Sequence, residues 1–428
     1  MSTSPRSRWT RIGRVASGVA LAGMLAGGSL ASGAHAAPSR AGTELTFWGP
    51  FSGPDGKTLV SMVDAFNSSQ SAVHVTLTIN PNGNYDTSLT TAIAAHKTPN
   101  LFVGDDVFAS QMADQGIAQP LDNALKKIPA LAAKNFYTSL FKGGNYHGKQ
   151  IAIPMDALPL VLYYNKSVFK AAGLNPNKAP TDEKSFLADA KKTTKNGVIG
   201  FDTPTDWIQP FLFPSLLAQF GGKEFDIKNK KAAFNSKAGI QALQLMHDWV
   251  YTYKIAKAVA PDVDLKDITN GAAAMVVDGP WQYSRLHDAL GSNLGVAGLP
   301  KWGPKPGVFI GQHYFILAKD GASPAINKAS LTFIQYFETH SIQWAKAGDL
   351  PAYKPVLASK AFKSLGYETP LAKSLAHGVL SPQVPKYGSF TSTLYPQISL
   401  VMRDKKDAKS ALNYAADQTT KAANSSGG

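Results

Sequence analysis

The sequence predicts an α/β protein built from two domains, on three observations. Its 428 residues suffice for two hydrophobic cores. Short segments with the two-residue alternation of strands take turns with segments that carry helical apolar spacing. A second block of the same kind begins near Leu158.

Leu45-Thr46-Phe47-Trp48 reads as a short strand, and Leu59, Met62, Val63 and Phe66 then recur at helical spacing. Val73, Val75, Leu77 and Ile79 alternate with polar residues, as one face of a strand does. Tyr85 to His96 is a helix with Leu89, Ala92 and Ile93 on one side, and Leu101-Phe102-Val103 is a strand closed by Gly104. Strands and helices joined by short connections imply a parallel sheet covered by helices. In such sheets ligands sit beyond the carboxyl ends of strands, which marks the residues just after Trp48 and Val103.

In the second block Leu158 to Tyr164 is a buried strand. Pro180-Thr181-Asp182-Glu183 opens a helix, with Thr181 placed to cap it. Ile240, Leu243, His247 and Val250 form a helical stripe, and Ala274 to Val277 is a strand ending at Asp278-Gly279-Pro280. Leu294 to Leu299 is a strand ended by Pro300, and Pro300 to Pro306 is a loop. Tyr314 to Leu317 resumes strand character, Ala325 to His340 is a helix with Phe333, Ile334 and Phe337 inward, and the Asn424–Gly428 tail is disordered.

Residues 1–36 have the pattern of an export signal. Arg6, Arg8, Arg11 and Arg14 precede a small-residue apolar stretch from Val15 to Gly33, and Ala34-His35-Ala36 forms a cleavage site ahead of Ala37. Without an Arg-Arg pair the general secretory route is expected. With no cysteine there is no disulfide, no thiol nucleophile and no lipid attachment at a Cys. The formal charge is +14, and removing four arginines and no acid leaves +10. The lysines are scattered, without an arginine-rich or aromatic-basic tract, so the charge reads as a solvated surface and no nucleic-acid partner is expected.

Enzyme signatures are missing: there is no G-x-S-x-G, H-E-x-x-H or G-x-G-x-x-G, and the nine histidines show no metal spacing. No catalytic residue, metal or cofactor is expected. Gly56-Lys57-Thr58 is half a P-loop, but Phe51 stands where the other glycine belongs. Asp105-Asp106 are read as hydrogen-bond acceptors at a sheet edge. As consecutive extended residues they point to opposite faces and cannot flank one bond. Trp48, Trp207, Trp281 and Trp302 lie at element ends or turns, where an indole either packs or offers an apolar platform to a sugar ring. Trp249 and Trp344 lie in helical stretches and read as packing.

Four segments, in order, resemble the extracellular solute-binding proteins of family 1, which serve ABC importers. They are Phe47-Trp48-Gly49-Pro50 with Gly53-Pro54-Asp55-Gly56; Tyr146 to Pro154 with Leu162 to Leu174; Asn270 to Met275 with Asp278-Gly279-Pro280-Trp281; and Gly348 to Pro355. The resemblance runs from about Glu44 to the C-terminal helix. It implies a two-lobed, type II periplasmic-binding-protein-like α/β fold. Each lobe is a mainly parallel sheet flanked by helices, with hinge crossings near Pro154–Leu158, Leu299–Pro300 and Gly348–Pro351. Lobe one takes residues 37–153 and 300–348, and lobe two takes 154–299 and 349–428.

The same resemblance implies an exported receptor that closes on a sugar-like solute and delivers it to permease subunits. Such a receptor is a monomer that meets the membrane only through its transporter. The residues it marks for the ligand are Trp48 and Asp55 in the first loop, Asp105 or Asp106, Asp156 at a hinge, and Gln209 and Phe211, which the turn-borne Trp207 joins as a candidate platform. Trp281 matches a stacking Trp, while Gly311, His313 and Tyr387 are similar to cleft-facing positions. Gly104 departs from the pattern, since maltose receptors carry a further Trp there. Three rival readings are a glycerol-phosphate or sugar-phosphate receptor, a polyamine receptor and an exported glycosidase.

Overall fold

The computed structural model describes residues 42–424, apart from 81–82, 205, 259–264, 367 and 383–386. The expected signal segment and the tail after Asn424 lie outside the described residues. The strand Thr43–Gly49 lies between Val73–Ile79 and Leu101–Gly104, and Tyr314–Leu317 and Ile153–Pro154 complete a five-stranded sheet. The first three strands run parallel, and the ladders made by Tyr314–Leu317 are antiparallel. Two helices cover the sheet with the apolar stripes that the spacing predicts. Gly53–Ser69 buries Leu59, Met62, Val63 and Phe66, and Pro324–His340 buries Phe333, Ile334 and Phe337. The rings interlock: Phe47 lies 5.4 Å from Phe333 and 5.9 Å from Phe315. Each such fully buried ring contributes about 1.5–3 kcal/mol of transfer free energy.

The predicted strand Leu158–Tyr164 is two strands, Asp156–Pro159 and Val161–Asn165. The break falls at Leu160 because the chain changes partners there. The first half pairs with Leu350–Pro351 and with Ile310 and Gly311, and the second with Met275–Asp278 and Leu294–Gly298. Both ladders of that second, three-stranded sheet are antiparallel, which corrects the expectation of mainly parallel pairing in this half. Parallel pairing reaches the Met275–Asp278 edge of that sheet at two isolated bridges, Ile199 with Ala273 and Asp202 with Val276. The topology explains the difference. Val161–Asn165 leads away from the junction and Leu294–Gly298 leads back toward it, so as neighbours they run in opposite directions.

Leu350–Pro351, Asp156–Pro159, Val308–Gly311 and Gly378–Val379 form a third sheet, in that order. The Pro300–Pro306 loop is tied down by backbone bonds from Lys301 N to Thr181 O and Lys305 N to Gln219 O, and by the Gln219 side chain. Gln219, 1% exposed at the end of the helix Gln209–Gln219, accepts from Trp302 N at 2.7 Å and Gly303 N at 3.1 Å. Its amide donates to Pro300 O at 3.1 Å and Gly307 O at 3.0 Å. At Pro180–Glu183 the cap is Asp182 rather than Thr181. Asp182 accepts from Ser185 N at 2.8 Å, and Ser185 Oγ receives the Asp182 N–H, so a reciprocal capping box opens the helix Glu183–Thr193.

Candidate functional site

Beyond the carboxyl ends of Thr43–Gly49 and Leu101–Gly104 opens a cavity of about 890 Å³. Tyr85 ties the two strand ends together: its hydroxyl donates to Val103 O at 2.7 Å, accepts from Val103 N at 3.1 Å and lies 3.2 Å from Trp48 O. Two helix starts follow, as the crevice rule requires. At the first, Ser52 makes no side-chain cap, and Asp55 in the opening turn accepts from Gly56 N at 2.9 Å. Burial raises the Asp55 carboxyl above its usual range, against the pull of the Gly56 N–H and His313.

At the second, Asp105 caps the helix Asp106–Asp114 by accepting from Phe108 N at 2.6 Å. Because the chain turns helical between them, Asp105 and Asp106 do not point apart as two extended residues would. Both line the cavity, Asp105 exposed and Asp106 only 1% exposed. Asp106 Oδ1 accepts from Val107 N at 2.9 Å, while its buried Oδ2 has no partner. Burial, and then the negative charge of Asp105, push the Asp106 carboxyl well above the usual carboxylate range.

Asp156 stands elsewhere than the resemblance implies. It is 0% exposed and lies behind the wall. Its carboxylate accepts from His313 N at 2.7 Å, His313 Nδ1 at 2.8 Å and Trp344 Nε1 at 3.2 Å. It is a structural acid, and the side chain that reaches the cavity is His313. Burial pulls the His313 pKa down. The charge and hydrogen bond of Asp156, aided by Asp349 and Asp105, outweigh this and push it up to about 9, so the ring is a cation at neutral pH.

An aromatic surface supplies the apolar part of the site. Trp207, 54% exposed, lies 5.5 Å from Trp281 with a 33° tilt and meets the edge of Phe211 at 5.2 Å. Phe211 stacks on Phe309 at 5.1 Å. Trp281 owes its position to the turn before it. A Cβ on Gly279 would fall inside the indole ring, so only glycine lets the ring lie against the backbone.

Asp55, Asp105, Asp106, Trp207, Phe211, Trp281, Gly311 and His313 thus meet around one cavity. Three expected residues do not. Trp48 is half-buried and packs with the cluster around Tyr85; Asp156 lies behind His313; and Gln209 is 0% exposed, donating to Pro204 O at 2.9 Å. Tyr387 opens the helix Tyr387–Met402, and its side chain lies outside the described residues. Sequence reasoning missed Arg285, Phe309 and Asp349. Arg285 follows Trp281 by four residues, a helical spacing that could have found it. Among the described residues no group of three His, Asp or Glu is placed to hold a metal ion, and no helix is long and apolar enough to cross a membrane.

The site can be set beside known proteins. The family model for bacterial extracellular solute-binding proteins matches residues 52–344. A sn-glycerol-3-phosphate-binding periplasmic protein of Yersinia pseudotuberculosis is 25% identical over 395 residues, 86% of this chain and 87% of that protein. Its namesake from Brucella melitensis is 27% identical over 413 residues, 87% of this chain and 91% of that one. Among solved structures, a solute-binding protein of Thermotoga lettingae bound with α-D-tagatose superposes with a TM-score of 0.78 at 22% identity, covering 89% of this chain and 100% of that one. A substrate-binding protein of Listeria monocytogenes in complex with cycloalternan gives 0.78 at 23%, covering 89% and 99%. The likeness shows the fold expected from the sequence: two-lobed, α/β and of the maltose-binding type. The protein is a binding receptor rather than an enzyme, and the chain belongs to the bacterial extracellular solute-binding proteins.

Proposed function

We propose that this receptor binds a sugar or small oligosaccharide and closes on it by bending at its crossing segments. The observation that carries the reading is one cavity in which the Trp207–Trp281 indole pair shares a surface with Asp106 and His313. Indole and phenyl faces suit the C–H faces of a pyranose, while Asp106 and His313 supply an acceptor and a donor for its hydroxyls. The crossings are the paired segments Asp156–Pro159, Val308–Gly311 and Leu350–Pro351. The middle one moves from the expected Leu299–Pro300, because Gln219 ties 300–307 to the helix Gln209–Gln219. Lobe one then holds 37–153 with about 312–348, and lobe two the remainder. Adjacent crossings resist shear and permit bending, and a ligand that contacts both lobes favours the closed state.

A sugar-phosphate reading has one observation in its favour, the glycerol-phosphate ligand named for relatives that cover most of the chain. The cavity weighs against it: Asp55, Asp105 and Asp106 face a ligand for which Arg285 and His313 would be the cations. Export by a cleaved signal at residues 1–36, a monomeric state, no lipid anchor and no nucleic-acid partner complete the proposal. The experiment is a thermal-shift panel of sugars, glycerol 3-phosphate and putrescine on the chain from Ala37. At about 1,000 times Kd the right ligand adds roughly 4 kcal/mol of stability. A shift with glycerol 3-phosphate or putrescine, and with no sugar, rejects the reading.

A further inference from the structure

The charge of the cavity runs against that of the chain. The sequence carries 43 basic and 29 acidic residues. Yet the described residues lining the cavity include Asp55, Asp86, Asp105, Asp106 and Asp349 against Arg285 and His313, with no lysine. The His313 charge is already matched by Asp156 behind it. A cleft lined by one sign of charge focuses the potential and draws in ligands of the opposite sign.

Two buried oxygens sharpen the point. Asp106 and Gln312, 1% and 4% exposed, stand on the cavity wall with the Gln312 side chain hydrogen-bonded to the Asp106 carboxyl, and buried Asp106 Oδ2 and Gln312 Oε1 have no partner among the described residues. Both oxygens call for donors. A sugar hydroxyl donates one hydrogen and also needs acceptance in return, whereas an ammonium offers three hydrogens and accepts none. It also neutralises a carboxylate that burial otherwise penalises. The aromatic surface excludes a bare polyamine as the best fit, since two indoles and two phenyl rings offer more flat area than a linear chain covers. Those same rings attract a cation held over their faces.

We infer that the solute is an amino sugar, a saccharide carrying a protonated amine, with the ammonium at Asp106 and the ring against the Trp207–Trp281 surface. The inference rests on the sugar-receptor reading and deepens it. Calorimetry on the chain from Ala37 tests it with matched pairs: glucosamine with glucose, galactosamine with galactose, and the β-1,4-linked glucosamine disaccharide with cellobiose. In at least one pair the amine binds about tenfold tighter or more, and its affinity falls as salt rises from roughly 50 to 500 mM. Asp106→Asn weakens the amine about tenfold more than it weakens the neutral partner. Should that variant fail to fold, Asp55→Asn makes the same comparison. Equal or tighter binding of the neutral member in every pair overturns the amine and leaves the sugar reading standing. Binding of putrescine or spermidine alone, or of no saccharide, overturns both.

Discussion

The Asp156 carboxylate grips His313 at two points, the backbone N at 2.7 Å and the ring Nδ1 at 2.8 Å. A third donor, Trp344 Nε1, lies 3.2 Å away. The grip fixes both the direction and the charge of the ring, and Nε2 is the ring nitrogen left for a solute. Phe51 meets the edges of both partners, His313 at 4.9 Å and Trp344 at 5.1 Å, so packing and hydrogen bonding hold one arrangement.

Asp156→Ala is therefore a stability variant before it is a binding variant. It leaves a half-buried imidazolium, a buried indole N–H and a backbone N–H without their acceptor, at a cost of about 3 kcal/mol. Urea unfolding measures the loss. Destabilisation under about 1 kcal/mol together with abolished binding would instead return Asp156 to the role of ligand contact that the resemblance implies.

The same pair makes stability depend on pH. An ordinary imidazole titrates near 6.5, and here it is pushed up to about 9. A raised pKa stabilises the fold while the ring is protonated. The contribution is complete below about pH 6.5 and is lost as pH rises through about 9. Wild type and His313→Gln should differ in unfolding free energy by roughly 1–3 kcal/mol more at about pH 6 than at about pH 10. A pH-independent difference would show that the ring is neutral in the fold.

Gln219 offers a test of how the middle crossing is set. It uses both donors and both acceptor positions of its amide on Pro300, Trp302, Gly303 and Gly307. Gln219→Leu keeps the volume and removes all four bonds, two of them to buried N–H groups. The expected loss is about 3 kcal/mol or more, with new tryptic cleavage at Lys301 or Lys305 as the loop comes free. Unchanged stability and proteolysis would mean that 300–307 is not tethered to the helix, and that the crossing returns to Leu299–Pro300.

Local pattern made the strands and helices around the first sheet legible, because burial there follows a simple period. Leu59, Met62, Val63 and Phe66 were readable as one buried face from spacing alone. Pairing direction in the second half was not readable, since Val161–Asn165 is buried on both faces and its alternation carries no information about its neighbours. The cavity was half legible. Turn-borne Trp281 and helix-opening Asp105 and Asp106 announce themselves, whereas Phe309 and Asp349 arrive from segments far along the chain. Asp156 misled for a physical reason: a carboxylate at a crossing looks the same in sequence whether it faces a solute or a histidine.

The glycine before Pro280 permits a test of the aromatic surface that removes no ligand-facing side chain. Gly279→Ala adds one methyl group where the Trp281 ring now lies, so the indole must move. Trp281→Ala removes the ring outright. If stacking on Trp281 carries affinity, each substitution weakens sugar binding about tenfold or more, a loss near 1.4 kcal/mol. The alanine at 279 should also shift the tryptophan emission of the free protein. Trp281 is only partly buried, so neither variant should unfold, and circular dichroism checks this. Unchanged affinity in both would remove the platform from the site and leave recognition to the polar groups alone.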